Sequence, residues 1–319
     1  MNYEGKYESE YVNINGIEEF FLHFPSSPEK EVILFLHGGP GTSEAVTGHS
    51  MLKYHEDKFH VVYFDQRGAG KTFVRNIEKE ADINNLLVDL EESVEYVKNK
   101  YKKDKIIILG HSWGTVLGTL YVKKHPENVL CYIGVAQVIN INDNERTRCN
   151  YLKDLYSKKG KRRKEKFLQK LGEKTDWKYG KNELSKSQIL RLRMMQLRNK
   201  MLEGASLSML KIMKNSPVYE KTDLKVMMSA KKRCTKLWEY IYNYNLYEII
   251  NDWPVRALFI SGSKDFQVPN ALVKEYFDTI SGEESQLEIF EGAGHFVMFD
   301  AGEKFWDTIY RFIMKSKSL

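Results

Sequence analysis

Short apolar runs alternate with amphipathic segments along the first part of the chain. Four continuous apolar runs have the length of strands buried on both faces of a sheet: 32–36, 60–64, 106–109 and 130–135. Between the second and third runs, residues 82–101 carry apolar side chains at helical spacing, which predicts a helix capped by Asp82. Strands that alternate with helices need right-handed crossovers. The pattern therefore predicts an α/β fold with a mostly parallel, doubly wound sheet.

The pattern extends toward both ends of the chain. Residues 7–12 and 16–23 are predicted to form a hairpin, because Asn15-Gly16 between them is a dipeptide that favours tight turns. Beyond residue 253 the alternation resumes over a strand, a helix, a strand and a final helix, predicted at 255–261, 270–279, 286–290 and 302–314. The same sheet is therefore expected to contain strands from both parts of the chain.

The segment between these parts, residues 139–252, differs from them in pattern and in charge. It has helical periodicity without a clear buried strand, and 27 Lys and Arg against 13 Asp and Glu, a net charge of +14. The whole chain has 49 against 43, so the remainder has 22 against 30, a net charge of −8. Such a step marks a change of domain or of surface role. We predict a core formed by residues 1–138 and 253–319, with an inserted helical cap at 139–252.

The basic charge of the cap is interpreted as a solvated surface. Its densest stretch, Lys158–Lys164, is not accompanied by any nucleic-acid-binding motif, so no nucleic-acid partner is predicted. No apolar run approaches the roughly 20 residues of a membrane span, so no membrane partner is predicted either. No pattern indicates an oligomeric state.

The N-terminus and the cysteines favour a cytoplasmic protein. Residues 1–10 are polar and acidic and lack the basic and apolar regions of a secretory signal. The three cysteines, Cys131, Cys149 and Cys234, are odd in number and match no metal or redox motif. We therefore expect free thiols, no metal site and a reducing compartment.

A candidate nucleophile lies at the end of the third apolar run. Gly110-His111-Ser112-Trp113-Gly114 matches G-x-S-x-G, between a predicted strand and a helical pattern at 115–124. In a strand–turn–helix context, small residues allow a strained turn that presents the Ser hydroxyl above the sheet edge. Ser112 is therefore predicted to be a catalytic nucleophile, and a capping Ser in a glycine-rich turn is the alternative.

A Ser hydroxyl needs a base, which in turn needs an orienting acid. Two histidines follow Ser112 in the chain, and His295 in a flexible loop after a strand suits a catalytic base better than His125 at a helix end. Asp265 follows the preceding strand and is predicted to accept the imidazole N–H. The competing acids are Asp252, Asp278 and Asp300.

The oxyanion of an acyl-transfer intermediate needs backbone N–H donors. One is expected from Trp113, directly after the nucleophile. The second is expected from Gly39 in the glycine-rich loop 37–41, since Pro40 has no N–H.

Three motifs together resemble the proline iminopeptidase group of α/β-hydrolases. They are His-Gly-Gly-Pro-Gly at 37–41, Asp-Gln-Arg-Gly-Ala-Gly-Lys-Thr at 65–72 and Gly-x-Ser-Trp-Gly at 110–114, and the resemblance covers the core, roughly 30–138 and 253–300. It implies the α/β-hydrolase fold, a hydrolase without a cofactor, a helical cap over the site, and release of N-terminal proline or other residues from short peptides. It also implies that Asp65 and Arg67 brace the loops around the site as a buried pair with a mainly structural role.

The sequence departs from this group in two places. Family aminopeptidases hold the substrate amino group with cap glutamates, and no local motif of this cap matches theirs. Position 111 is His, where proline-specific members usually carry Gly. We predict an aminopeptidase acting on N-terminal residues of small peptides or on aminoacyl amides. One alternative is a carboxylesterase, lipase-like or C–C bond hydrolase that acts on a small acyl substrate. Another is a non-catalytic binding member of the fold. The presence of three triad candidates argues against the binding member.

A peptidase of this kind must bind an ammonium group, which is costly to bury unless carboxylates replace its water. Glu145 lies just past the fourth strand, where the chain leaves the sheet, and is one candidate. Glu239 is another, because Trp238 beside it can add a cation–π contact. Glu203 and Glu248 are further candidates in the cap.

Overall fold

The structure is a computed structural model that describes residues 5–174, 211–230 and 234–315. The strands in these ranges are β1 Glu8–Ile14, β2 Ile17–Phe24, β3 Glu31–Leu36, β4 Phe59–Phe64, β5 Ile106–His111, β6 Val129–Val135, β7 Asp252–Trp253, β8 Ala257–Gly262, β9 Ser281–Gly282 and β10 Ser285–Phe290. The α-helices are α1 Ala45–Gly48, α2 Gly70–Arg75, α3 Ile83–Tyr101, α4 Trp113–Lys124, α5 Ile141–Lys158, α6 Arg162–Lys174, α7 Lys221–Ala230, α8 Thr235–Tyr242, α9 Leu246–Ile249, α10 Asn270–Phe277, α11 Val297–Ala301 and α12 Glu303–Lys315.

One large sheet organises the core. Among the described residues it has eight strands in the order β1-β2-β4-β3-β5-β6-β8-β10. The six strands from β4 to β10 in this order are parallel, and the β1–β2 hairpin joins β4 antiparallel. Asn15 and Gly16 both have positive φ, 44° and 74°, as the tight hairpin turn requires. The predicted α/β class and the mostly parallel sheet are confirmed.

The sheet is covered on both faces, as continuous apolar strands require. Successive side chains of β3 enter two different apolar clusters. Val32 and Leu34 pack in one cluster, and Ile33 and Phe35 pack in the other. All six residues of β5 are buried. The apolar runs read from the sequence are therefore strands between two helical layers.

The long helix α3 has the capped start and the buried apolar face that the sequence pattern predicted. Asp82 accepts a hydrogen bond from the Asn85 N–H and caps the helix as predicted. Leu86, Leu90 and Val94 form part of its buried face. The short helices α1, α2 and α11 were not predicted, because four to six residues are too few to show a helical period.

The described parts of residues 139–252 are mostly helical and lie against the carboxyl edge of the sheet. Tyr219 donates a hydrogen bond to Asp65 in the loop after β4. The Cys234 thiol donates to the Gly68 carbonyl in the same loop, at 3.6 Å. The Arg148 guanidinium lies 5.1 Å from the ring centre of Phe266, in the loop after β8. The inserted segment therefore touches the loops that follow two parallel strands. Within the described ranges, no helix is long and apolar enough to cross a membrane.

The packing of β5 and α4 against β3 leaves no room at Gly114. A Cβ atom added there would lie 2.0 Å from the Leu36 carbonyl oxygen. We predict that Gly114→Ala lowers the free energy of unfolding by about 3 kcal/mol or more, because neither backbone can move away without breaking the sheet. Urea denaturation measures the change.

Gly294→Ala is the matched control. Its φ is not positive, and its added Cβ would meet its nearest neighbour, Asp300 Oδ2, at an ordinary 3.5 Å. A loss of stability as large as that of Gly114→Ala would contradict this account of the close approach.

Candidate active site

Ser112 occupies a strained turn between β5 and α4. Its φ and ψ are 52° and −116°, in a region that residues with a side chain seldom adopt. Its N–H donates to the Val135 carbonyl of β6 at 2.9 Å, which fixes the turn against the neighbouring strand. A Cβ at Gly110 would lie 2.6 Å from the Gly114 carbonyl, so the turn needs glycine there. Ser112 is half-buried between the buried residues His111 and Trp113, so the turn leaves it within reach of a ligand.

His295 and Asp265 form a buried hydrogen-bonded pair in the loops after β10 and β8. His295 Nδ1 lies 2.8 Å from Asp265 Oδ2. The other carboxylate oxygen, Oδ1, accepts from the backbone N–H groups of Gln267 and Val268, at 2.7 and 2.9 Å. Burial by itself raises the pKa of Asp265, but His295 and the two backbone donors outweigh it and hold the pKa below its usual value. The carboxylate therefore stays ionised and keeps the proton of His295 on Nδ1.

The His295 loop lies against the turn that carries Ser112. His111 Nε2 is 3.0 Å from the His295 carbonyl oxygen, and the two imidazole ring centres are 4.9 Å apart. The end of β8 also packs closely on this loop, because a Cβ at Gly262 would lie 2.3 Å from the Gly294 carbonyl. The structure thus brings the three predicted triad residues, Ser112, Asp265 and His295, to one edge of the sheet.

The competing residues have other partners. Asp300 accepts from the Gly294 N–H at 2.7 Å and braces the His295 loop. Asp252 accepts from the Ser281 hydroxyl in the separate β7–β9 pair, and Asp278 ends α10 on the surface. His125 faces Glu91 and Glu127, each at 3.3 Å, at the far end of α4. Asp265 is the carboxylate that holds His295.

The loop after β3 carries the candidate oxyanion donor Gly39. Gly39 has a φ of 134°, and a Cβ there would lie 2.8 Å from the Gly41 nitrogen. The N–H of the preceding residue, Gly38, is already used, since it donates to Glu44 Oε2 at 2.7 Å. Pro40 has no N–H to donate. Of the three residues 38–40, Gly39 therefore remains as the candidate donor of an N–H to the oxyanion.

Gln66 connects this loop to Trp113, the other candidate donor. Its N–H donates to His37 Nε2 at 3.0 Å, and its side-chain amide donates to the His37 carbonyl at 3.2 Å. Its side-chain oxygen accepts from Trp113 Nε1 at 2.9 Å. Since His37 Nε2 accepts the hydrogen bond from the Gln66 N–H, the ring proton lies on Nδ1, which donates to the Gly38 carbonyl at 2.7 Å. The sequence motif contained Gln66 but gave no sign of this bridging role.

The predicted pairing of Asp65 with Arg67 is wrong. Arg67 makes a two-pronged ion pair with Asp89 of α3, at 2.7 and 2.8 Å. Asp65 accepts instead from Tyr219 of the inserted segment and from the Lys71 N–H. The planar guanidinium matches a carboxylate that is free to accept two bonds, and Asp65 already has other donors. Burial raises the pKa of Asp65 above its usual value despite these donors and the nearby His37.

The candidate substrate-binding residues in the described part of the insertion lie on three helices, α5, α8 and α9. Glu145 of α5 is buried and forms an ion pair with Arg148 at 2.8 Å. Glu239 and Trp238 are half-buried on α8, which packs against α3 and α5. Glu248 accepts from the Asn245 amide near the surface, and Glu203 lies outside the described residues.

Metal-binding side chains do not gather anywhere in the described part of the chain. No group of three or more His, Cys, Asp or Glu there has the arrangement to hold a metal ion.

The alpha/beta hydrolase fold family matches residues 31–302. A protein of Bacillus subtilis (strain 168) named "Probable aminopeptidase YbaC" is 26% identical over 302 residues, which cover 94% of each chain. The structure is also similar to that of the proline iminopeptidase of Mycobacterium smegmatis, with a TM-score of 0.63 and 13% identity, over 97% of this chain and 98% of that one. A meta-cleavage product hydrolase of Pseudomonas fluorescens IP01 gives a TM-score of 0.59 and 14% identity, over 96% and 98% of the chains.

These similarities agree with the mostly parallel sheet of the core. The resemblance to the proline iminopeptidase group, read from three motifs, is confirmed. The chain belongs to the alpha/beta hydrolase family.

Proposed function

We propose that this protein is a serine hydrolase in which Ser112 is the nucleophile, His295 the general base and Asp265 the acid that orients it. The observation that carries the proposal is the buried His295–Asp265 hydrogen bond of 2.8 Å, in a loop that packs against the strained Ser112 turn. A strained nucleophile, an oriented imidazole and an ionised carboxylate at one sheet edge are the parts that acyl transfer needs.

The proposed reaction proceeds through an acyl-enzyme. Asp265 keeps a proton on His295 Nδ1, so Nε2 accepts the proton of the Ser112 hydroxyl as the oxygen attacks the substrate carbonyl. The N–H groups of Gly39 and Trp113 stabilise the oxyanion. His295 then gives its proton to the departing amine, and water, activated by the same imidazole, releases the acyl group. No cofactor takes part in these steps.

The relatives and the insertion support a substrate with a free amine. Similarity over 94% of the chain to a protein named as an aminopeptidase supports a substrate with a free N-terminal amine, in a short peptide or an aminoacyl amide. Arg148 already neutralises Glu145. Glu239, beside Trp238, is therefore the better of the two candidates for holding the ammonium.

A second candidate function is hydrolysis of a small acyl substrate that carries negative charge, an ester or a C–C bond. It is favoured by the net charge of +14 over residues 139–252. The similarity in fold to a meta-cleavage product hydrolase is consistent with it. The two functions share the triad and differ in what the insertion binds.

We also propose a cytoplasmic setting and a small-molecule or short-peptide substrate, without a nucleic-acid or membrane partner. All three cysteines are buried free thiols. A reducing compartment suits such residues.

Ser112→Ala is expected to abolish turnover and to leave the fold intact, since removal of a triad residue costs about 10⁴- to 10⁶-fold in kcat in other serine hydrolases. Labelling with a fluorophosphonate probe, followed by peptide mapping, identifies the reactive residue. Ser263→Ala, in the neighbouring Asp265 loop, is the matched control and should label like the wild type. Residual activity of Ser112→Ala within tenfold of the wild type would remove Ser112 as the nucleophile.

His295→Ala is expected to be nearly as damaging as Ser112→Ala, by about 10⁴-fold or more in kcat. Asp265→Asn should cost about 10⁴-fold, because the amide favours the wrong imidazole tautomer. Steady-state kinetics of both variants measures the loss of kcat, and circular dichroism verifies that they fold. Asp300→Asn, which changes another anchor of the His295 loop, should be much less harmful, and the reverse order would mean that the acid has been misassigned.

Glu239→Gln is expected to raise KM for aminoacyl-naphthylamides about tenfold or more, because an ammonium loses its compensating charge. Glu145→Gln, whose charge Arg148 already balances, should change KM less. N-acetylated analogues should be poor substrates of the wild type. Preferential cleavage of acetylated or anionic acyl substrates would instead favour the second candidate function.

A further inference from the structure

Glu44 and His111 form a buried ion pair that touches three loops of the candidate active site. Glu44 Oε1 is 2.8 Å from His111 Nδ1, and Glu44 Oε2 accepts from the Gly38 N–H at 2.7 Å. His111 Nε2 is 3.0 Å from the His295 carbonyl oxygen. His111 directly precedes Ser112. One pair of side chains therefore contacts the loop of the oxyanion donor, the nucleophile turn and the loop of the base.

The hydrogen bonds of His111, together with an ionised Glu44, determine its charge. A carbonyl oxygen and an ionised carboxylate can only accept, so both ring nitrogens of His111 must donate. A neutral imidazole has one N–H, and an imidazolium has two. His111 is 1% exposed and Glu44 is 8% exposed, so water cannot replace either bond. With Glu44 ionised, only a protonated His111 satisfies both hydrogen bonds.

The electrostatic surroundings agree with this charge. Burial lowers the pKa of His111, but the charge and hydrogen bond of Glu44, the His295 carbonyl and the nearby Asp265 outweigh it and raise the pKa above its usual value. Burial raises the pKa of Glu44, but His111, His37 and the Gly38 N–H outweigh it and lower the pKa.

The groups that face the pair come from several elements. His37, which directly follows β3, and Tyr63 of β4 both lie within electrostatic range of Glu44. Asp265 and His295 face His111 from the loops after β8 and β10. Glu44 is the carboxylate hydrogen-bonded to His111 in the described structure.

We propose that Glu44 and His111 are positioning residues that hold the nucleophile, oxyanion and base loops in register, and that they do so only while His111 is protonated. This inference rests on the proposed serine hydrolase function. When His111 loses its proton, the one that remains stays on Nδ1 to serve the Glu44 carboxylate. The His295 carbonyl then loses its donor, and the base is no longer held at its proper distance from Ser112. Neither side chain exchanges a proton with substrate.

The dependence on pH has a definite sign. Because the pKa of His111 is raised in the folded protein, its favourable contribution is complete below the usual histidine pKa and is lost as pH rises through the raised value. Turnover should therefore fall on the alkaline side. The fall should appear in kcat more than in KM, because the affected contacts place the base and not the substrate.

Glu44→Gln separates the charge from the hydrogen bonds. The glutamine oxygen can still accept from the Gly38 N–H, and its NH₂ group can donate to a neutral His111 at Nδ1. The His111 proton then lies on Nε2 and serves the His295 carbonyl. All three contacts survive without a charge, so the alkaline fall of kcat should disappear.

The test compares kcat and KM across pH for the wild type, Glu44→Gln and Asp300→Asn. Asp300 also anchors the His295 loop, through the Gly294 N–H, but does not touch His111. Asp300→Asn should therefore keep the alkaline fall even if its activity is lower. His111→Phe, which keeps a ring and removes both donors, should lose about 100-fold in kcat, the cost of misplacing a catalytic group by about 1 Å. A Glu44→Gln profile with the wild-type alkaline fall, or a wild-type profile without one, would overturn the proposal.

Nitrogen-15 NMR of the His111 ring tests the charge independently of activity and of the variants' folding. Both ring nitrogens should carry protons at neutral pH, and a neutral ring there would overturn the proposal. If the wild type neither labels with fluorophosphonate nor turns over any acyl substrate, the proposed function fails, while the NMR result still decides the charge of His111.

Discussion

The approach of two backbones at the carboxyl edge of the sheet is the constraint on which the rest of the site depends. The turn after β5 brings Gly114 so near Leu36 at the end of β3 that an added Cβ would lie 2.0 Å from the carbonyl oxygen. The same contact places Trp113, at the start of α4, beside the loop that begins at His37. The candidate nucleophile Ser112 and the candidate oxyanion donor Gly39 come from distant parts of the chain, and Gly110 and Gly114 permit this approach of their backbones.

Polar contacts then hold the loops that the glycines allow to meet. Gln66 joins the loop after β3 to Trp113, and Glu44 joins that loop to His111. His111 and Asp300 hold the His295 loop from two sides. Gln66, Glu44 and His111 are buried, and all four groups have a hydrogen-bond partner, which makes the arrangement rigid. Rigid placement is what a general base needs, since its effect falls steeply with distance.

The sequence predicted the elements of this fold better than the contacts between its loops. The strands at Val32–Leu36 and Ile106–Leu109 were recognisable because burial on both faces leaves a continuous apolar run. Asp265 was recognisable because it follows such a run, and His295 because it follows a predicted strand. The pairing of Arg67 with Asp89 and of Asp65 with Tyr219 was missed. These partners lie 22 and 154 residues apart, and no local period connects them. Glu44 gave one faint signal, an acid just after the glycine-rich loop.

The insertion joins the sheet through a narrow neck at residues 139–140 and 245–246. Strands β6 and β8 are direct neighbours, with Val135 opposite Ile260, although the whole insertion lies between them in the chain. Its two ends meet at a bridge between Asn140 and Asn245, and Leu246 donates to the Ile139 carbonyl. Since the entropy of closing a loop grows only slowly with its length, a segment of another size can replace this one at a small thermodynamic cost. The insertion is therefore a module that can be exchanged by grafting at this neck, while the sheet below it stays unchanged.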